Sequence, residues 1–244
     1  MADNTYSTML ESLAEMIAFE ETLDLVKVDP APDLTPEALT ALRVEAATLH
    51  AAVGNSKSDW RTVTLERAME AGLLASKASK AVALLEAKGA SAETIEQARF
   101  YVRKLQGRRA APAVVDDPST PDVDESEQSI SASQQSNAAK ISTSYEFIDF
   151  LEAQSEYASV NNPELRIAAY RAFVDSVSTK HDASIDAQTT LTSDRIKRDK
   201  VFFDNPDSIL NRAKRLKKAV GGAYGFNSPE YRTINAIRFE NRDR

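Results

Sequence analysis

The chain has 244 residues, 42% of them hydrophobic and 27% charged, with a formal charge of −7 and no cysteine. That length suits one large or two small soluble domains, and the missing thiols exclude disulfides, thiolate metal sites and cysteine nucleophiles. Seven glycines and nine prolines, set among abundant Ala, Leu, Glu and Ser, favour helix.

The N-terminus, Met1 to Thr5, has no basic region followed by an apolar one, so no signal peptide is expected. No apolar run approaches the ~20 residues needed to cross a bilayer. A cytoplasmic location with no membrane partner is the default expectation.

A first helix is expected from Thr5, with Met9, Leu13, Met16 and Leu23 on one stripe. Pro30 and Pro32 end it. Thr35-Pro36-Glu37 then reads as a helix start, with a hydroxyl cap, a proline in the first turn and an acid at the positive end of the dipole. Leu39, Leu42, Ala46, Leu49 and Val53 form its seam, and Gly54-Asn55 is expected to close it. The third helix, Ser58 to Lys88, carries the seam Thr64, Ala68, Ala71, Ala75, Ala78, Val82 and Leu85. Gly89 stops that helix. Ser91 caps a fourth, with Ile95, Ala98, Val102 and Leu105 inward and Gly107 at its end.

From Arg108 to Lys140 the chain holds Pro112, Pro118 and Pro121, the acids Asp122, Asp124, Glu125 and Glu127, and the polar run Ser129 to Ser136. So little apolar surface predicts a flexible linker. Residues 111–140 contribute 1 basic and 6 acidic side chains, against 13 and 16 before them and 16 and 15 after, so the acidity is chiefly the linker's.

Beyond it the first pattern recurs. Phe147, Ile148 and Leu151 follow Met9, Leu10 and Leu13 by 138 positions. Ile167, Tyr170, Val174 and Val177 match Leu39, Leu42, Ala46 and Leu49, while Ile209, Ala213, Leu216 and Val220 match Ala71, Ala75, Ala78 and Val82. Asn162-Pro163-Glu164 and Ser228-Pro229-Glu230 supply the corresponding starts, and about ten extra residues around Val201–Ser208 end in a restart at Asn205-Pro206-Asp207. Lys180 to Ser184 contains no Gly or Pro, so the helices on either side either break there or run together. The expected fold is all-α: two tandem antiparallel helical bundles of about four helices each, related by internal duplication. Their boundaries are 1–109 and 141–244, with the acidic linker at 110–140.

Little chemistry is legible. His50 and His181 have no acidic residue three positions before them, as a bundle metal site requires. Glu11, Glu15, Glu20 and Glu21, like Glu146, Asp149, Glu152 and Glu156, read as solvated faces. The glycines from Gly221 to Gly225 fit neither a dinucleotide fingerprint nor a P-loop and read as a loop after Val220. The linker lacks the calcium-loop signature, and no serine has a nucleophile-elbow context. No catalytic residue, metal or cofactor is expected.

The clearest charge feature is Arg195, Lys197, Arg198, Lys200, Arg212, Lys214, Arg215, Lys217 and Lys218, nine cations in 24 residues. It is the candidate partner-binding stretch, for the acidic linker, an acidic protein or a phosphate backbone.

Three segments resemble an uncharacterised family of duplicated helical proteins from Bacteroidota: Arg103 to Arg109, Ser133 to Ser136, and Val220 to Tyr231. The resemblance implies a duplicated helical chain and assigns no activity. The expected function is a non-enzymatic structural or protein-interaction module, a subunit of a homo-oligomeric assembly. The alternative is a regulator that binds nucleic acid through Arg195–Lys218.

Overall fold

The computed structural model describes residues 3–107 and 136–239, and among them every regular element is helical. In order these are α1 (Asp3–Glu20), α2 (Leu25–Val28), a 3₁₀ turn (Pro32–Leu34), α3 (Pro36–Ala87), α4 (Ala92–Gln106), α5 (Asn137–Glu152), α6 (Ile167–Asp199), a π-turn (Lys200–Asp204), α7 (Ile209–Tyr224) and α8 (Pro229–Ala236). The acidic run Asp122–Glu127 and its prolines lie outside the described residues. The end of the expected linker does not: Ser136 caps α5 by accepting from the Ala139 N–H, so residues 137–140 are helix.

The local start signals hold. Thr35 Oγ1 accepts from Ala38 N, Ser91 from Thr94 N and Ser228 from Tyr231 N, whereas the restart expected at Asn205 falls to Ser208, which accepts from Asn211 N. Each satisfies a backbone donor that the helix itself leaves unpaired. Asn162 opens a turn rather than a helix, with Oδ1 accepting from Glu164 N, and α6 begins only at Ile167.

One expected break is absent, and a junction left open by the sequence proves continuous. Gly54-Asn55 lies inside α3, which runs unbroken for 52 residues. A glycine ends a helix where the chain needs a positive φ; here the chain continues through Gly54 with Val53 and Ser56 buried beside it, packing that overrides the weak helix propensity of Val53, Asn55 and Ser56. Lys180–Ser184 likewise stays helical within the 33 residues of α6. The expected loop at Gly221 is also helix: α7 extends to Tyr224, and only Gly225 takes a positive φ, of 93°.

The chain divides into two compact units, residues 1–60 with 187–244 and residues 61–186, so the boundaries fall inside α3 and α6. In the first unit α7 is the hub, packing against α1, α2, the 3₁₀ turn, the π-turn and α8. Its core joins Met9, Leu13 and Met16 to Leu39 and Leu42, and these to Ile209, Leu216, Val220 and Ile234. The π-turn explains how the neighbours Phe202 and Phe203 are both buried. Its wider coil brings both rings edge-on to Tyr6, at 5.1 and 5.8 Å.

In the second unit α4 packs on α5, around Leu74, Ala78 and Leu85 of α3, with Phe147, Leu151, Tyr170 and Val174 opposite. The buried row of α3 here is Leu74, Ala78, Ala81 and Leu85, whereas Ala68 of the expected seam is exposed. Glu70 ties α3 to α6, accepting from Ser176 Oγ at 3.0 Å and from Lys180 Nζ.

The two glycines of α7 are expected to behave oppositely. A Cβ on Gly221 would lie 2.5 Å from Cε1 of Phe226 and 3.0 Å from Cδ2 of Tyr231, whereas a Cβ on Gly222 meets nothing within 4 Å. Gly222→Ala should therefore stabilise the protein by up to about 1 kcal/mol. Gly221→Ala should destabilise it by about 1 kcal/mol or more by displacing the Phe226 ring. Urea midpoints of the two variants check both signs.

Candidate functional site

The nine cations of Arg195–Lys218 do not form one stripe. Arg198 is 6% exposed and bonded within its own unit. Arg212 Nη1 donates to the Asp33 carbonyl at 2.9 Å, and Arg215 grips the Asp33 carboxylate through both terminal nitrogens. That fork holds the Asp33 carboxyl below the usual carboxylate range. Lys217 donates to the carbonyls of Asn235 and Ile237, covering the C-terminal end of α8, and burial lowers its ammonium's pKa. Lys197 lies 3.5 Å from Asp194 on the next turn. Arg195, Lys200, Lys214 and Lys218 are exposed.

Arg198 belongs to the most polar buried cluster in the first unit. Its guanidinium carbon sits 3.6 Å over the Tyr6 ring, its Nη2 donates to Tyr6 Oη at 2.8 Å, and its Nε and Nη2 both donate to Asp199 Oδ1. Tyr6 Oη donates onward to the same Asp199 oxygen at 2.8 Å, and the His50 ring stacks on the Tyr6 ring at 5.6 Å. A buried ion pair with this many bonds fixes the junction between α6 and the π-turn rather than leaving a reactive group. Beside it Ile196, Asp199, Lys200, Asp204, Asn205 and Pro206 line an open cleft of about 410 Å³. Its lining carries both signs of charge and no nucleophile next to a base.

The remaining sequence candidates stay apart. Among the described residues no three His, Asp or Glu side chains come together as a metal site. Glu11, Glu15, Glu146, Asp149 and Glu152 are exposed, as expected of solvated faces, and Arg171 bonds the last two.

Glu20 departs from that pattern. It is fully buried, both carboxylate oxygens lack a hydrogen-bond partner, and its pKa rises from 4.5 to about 7. Burial is the main cause, with the charges of Glu37 and Glu21 adding to it. The spacing Met9, Leu13, Met16, Glu20 is an unbroken 4-3-4 continuation of the core stripe, and it gave the signal that Glu20 faces inward.

A second departure lies on α3, within the second unit. Leu65, Met69 and Leu73 are 66%, 75% and 50% exposed. They recur every four residues, and Ala68, Gly72 and Ser76 fill the same face, all exposed. No charged side chain interrupts this face; Arg61, Glu66 and Lys80 lie at its margins. A single exposed leucine needs no explanation, but an aligned uncharged row is the usual form of a helix-docking surface.

Two outcomes are expected. Glu20 folds protonated and unfolds with an ordinary carboxyl, so stability is greatest below pH 4.5 as regards this group and falls as pH rises through the window from 4.5 to about 7. Glu20→Gln should remove that fall and leave the variant more stable at pH 8 by up to about 3 kcal/mol, read from denaturation curves at pH 5 and pH 8. Tyr6→Phe strips Arg198 and Asp199 of a shared bonding partner and should cost about 1–3 kcal/mol in the same assay.

Comparison with protein-family models, with curated proteins and with solved structures finds no match for this chain.

Proposed function

We propose that the chain is a non-enzymatic interaction module whose docking surface is the uncharged face of α3 around Leu65, Met69 and Leu73. The observation that carries this reading is the exposure of three large apolar side chains in one row of a continuous helix. Burying them would remove apolar area from water at ~25 cal/mol per Å², and the chain's own fold leaves that gain unrealised. Several cations of the basic stretch are engaged in holding the fold: Arg198 with Asp199 and Tyr6, Arg215 with Asp33, Lys217 with the end of α8. With these cations occupied, the alternative of a nucleic-acid regulator retains Arg195, Lys197, Lys200, Lys214 and Lys218, and it draws less support than the apolar face.

The proposal extends to the chain's origin as an internal duplication of residues 1–109 and 141–244. In its support, paired positions share the same fate: Met9 and Phe147, Leu13 and Leu151, Leu42 and Tyr170, and Ala78 and Leu216 are buried in both members. On this reading each compact unit joins the first half of one copy to the second half of the other.

The triple variant Leu65→Lys, Met69→Lys, Leu73→Lys tests the docking surface. If the face serves an outside partner, the melting temperature at dilute, micromolar protein should stay within about 2 °C of the parent, since exposed substitutions rarely exceed ±0.5 kcal/mol. A drop of many degrees would assign the row to the chain's own core and end the proposal.

A further inference from the structure

We propose that Glu20 is an acid-closed latch: while its carboxyl carries a proton, the last turn of α1 and the strap formed by residues 21–29 stay seated on α7, and when the proton leaves, that turn unwinds and the strap lifts.

The surroundings of the carboxyl are the first argument. Glu20 is the last residue of α1, on the inward row of Met9, Leu13 and Met16. It is fully buried, and neither oxygen has a hydrogen-bond partner. A charged carboxylate held there lacks every contact that would replace its lost water, whereas the neutral acid costs far less. The charges acting on it are also the wrong sign: Glu37, in the first turn of α3, and Glu21 beside it. The cations of the packed elements serve other groups. On α7, which packs on both α1 and α2, Arg212 and Arg215 hold Asp33, Lys217 holds the end of α8, and Lys214 and Lys218 are exposed. On α2, Asp24 caps the helix and Lys27 lies over the Tyr224 ring, while Arg43 of α3 donates to the Leu10 carbonyl.

The second argument is how lightly the strap is held. Val28 is the one buried residue of the four in α2, and Val26 is 92% exposed. The strap meets α7 through the Asp24 N–H on Tyr224 Oη at 3.1 Å and through Lys27, 4.1 Å from the centre of that ring. The earlier turns of α1 are anchored by Tyr6, Met9, Leu13 and Met16 in the core. Unwinding the end of α1 is therefore the least costly way to carry Glu20 to water, and segments with so few buried contacts open well before the whole fold does.

The direction follows from the proton balance. Seated, the carboxyl titrates at about 7; released, it returns to 4.5. The seated form thus binds more protons, so opening is rarest below pH 4.5, rises about tenfold per pH unit through the window and levels off above about 7, about 300-fold in all.

Hydrogen exchange on the full chain from pH 5 to pH 8, corrected for the intrinsic rate at each pH, tests this. The amides of Leu23, Val28 and Asp29, which bond the carbonyls of Glu20, Asp24 and Leu25, should lose protection about tenfold per pH unit up to about pH 7 and little beyond. Sub-denaturing urea should hardly change their exchange, because lifting the strap exposes little surface, whereas core amides of α1 and α7 should respond steeply. In Glu20→Gln the strap amides should keep their protection across the whole range. A flat pH profile in the parent protein would overturn the proposal whether or not the variant folds. So would strap amides that respond to urea as steeply as the core, or a pH dependence that survives in Glu20→Gln.

Discussion

The structure depends on the unbroken hydrogen-bond ladders of α3 and α6. A helix that does not break cannot reverse direction, so the two ends of each are committed to different neighbours. Leu39, Leu42 and Ala46 at the start of α3 join the core built with α1 and α7. Leu74, Ala78 and Leu85 near its end join the core built with α4 and α5. Tyr170, Val174 and Val177 of α6 belong to that second core, and Phe202 and Phe203, directly after α6, to the first. A reversal at Gly54 would have let residues 1–107 close on themselves. The continuous ladder instead draws each unit from distant parts of the chain.

This explains which parts of the fold were legible in the sequence. Helix starts are local events, decided by a hydroxyl three residues from the N–H that it accepts, and Thr35, Ser91 and Ser228 all act as their spacing indicates. The all-helical class and the inward rows of α1, α4 and α8 follow from periodicity for the same reason. Breaks are a different matter. Glycine permits a turn without compelling one, and at Gly54 and Gly221 the helix continues because the residues around them pack better that way. Nor does periodicity say which helix faces which, so the division of the chain between two cores was not legible.

The candidate surface was obscured by a related ambiguity. The later half of α3 offers two apolar rows, one of alanines and one of Leu65, Met69 and Leu73, and a sequence alone does not reveal which row its neighbours cover. The structure buries parts of the alanine row with Leu74 and leaves the larger side chains in solvent. The basic stretch misled in the opposite direction. Nine cations in a short span look available until their partners are placed, and Asp33, which takes two of them, lies 179 residues before Arg212. Glu20 was grouped with its exposed neighbours although its place on the Met9–Met16 row marks it as internal.

The composition of the two units has a consequence for the order in which they form on the ribosome. Residues 61–186 are contiguous, so that core has all its parts as soon as α6 has emerged. Met9, Leu13 and Leu39 come out before that core, yet Ile209, Leu216 and Val220, which cover them, come out only after it. The nascent chain must therefore carry the oily stripe of α1 uncovered while the whole of the contiguous unit is made, and any factor that shields emerging chains has a longer task at α1 than at α4 or α5.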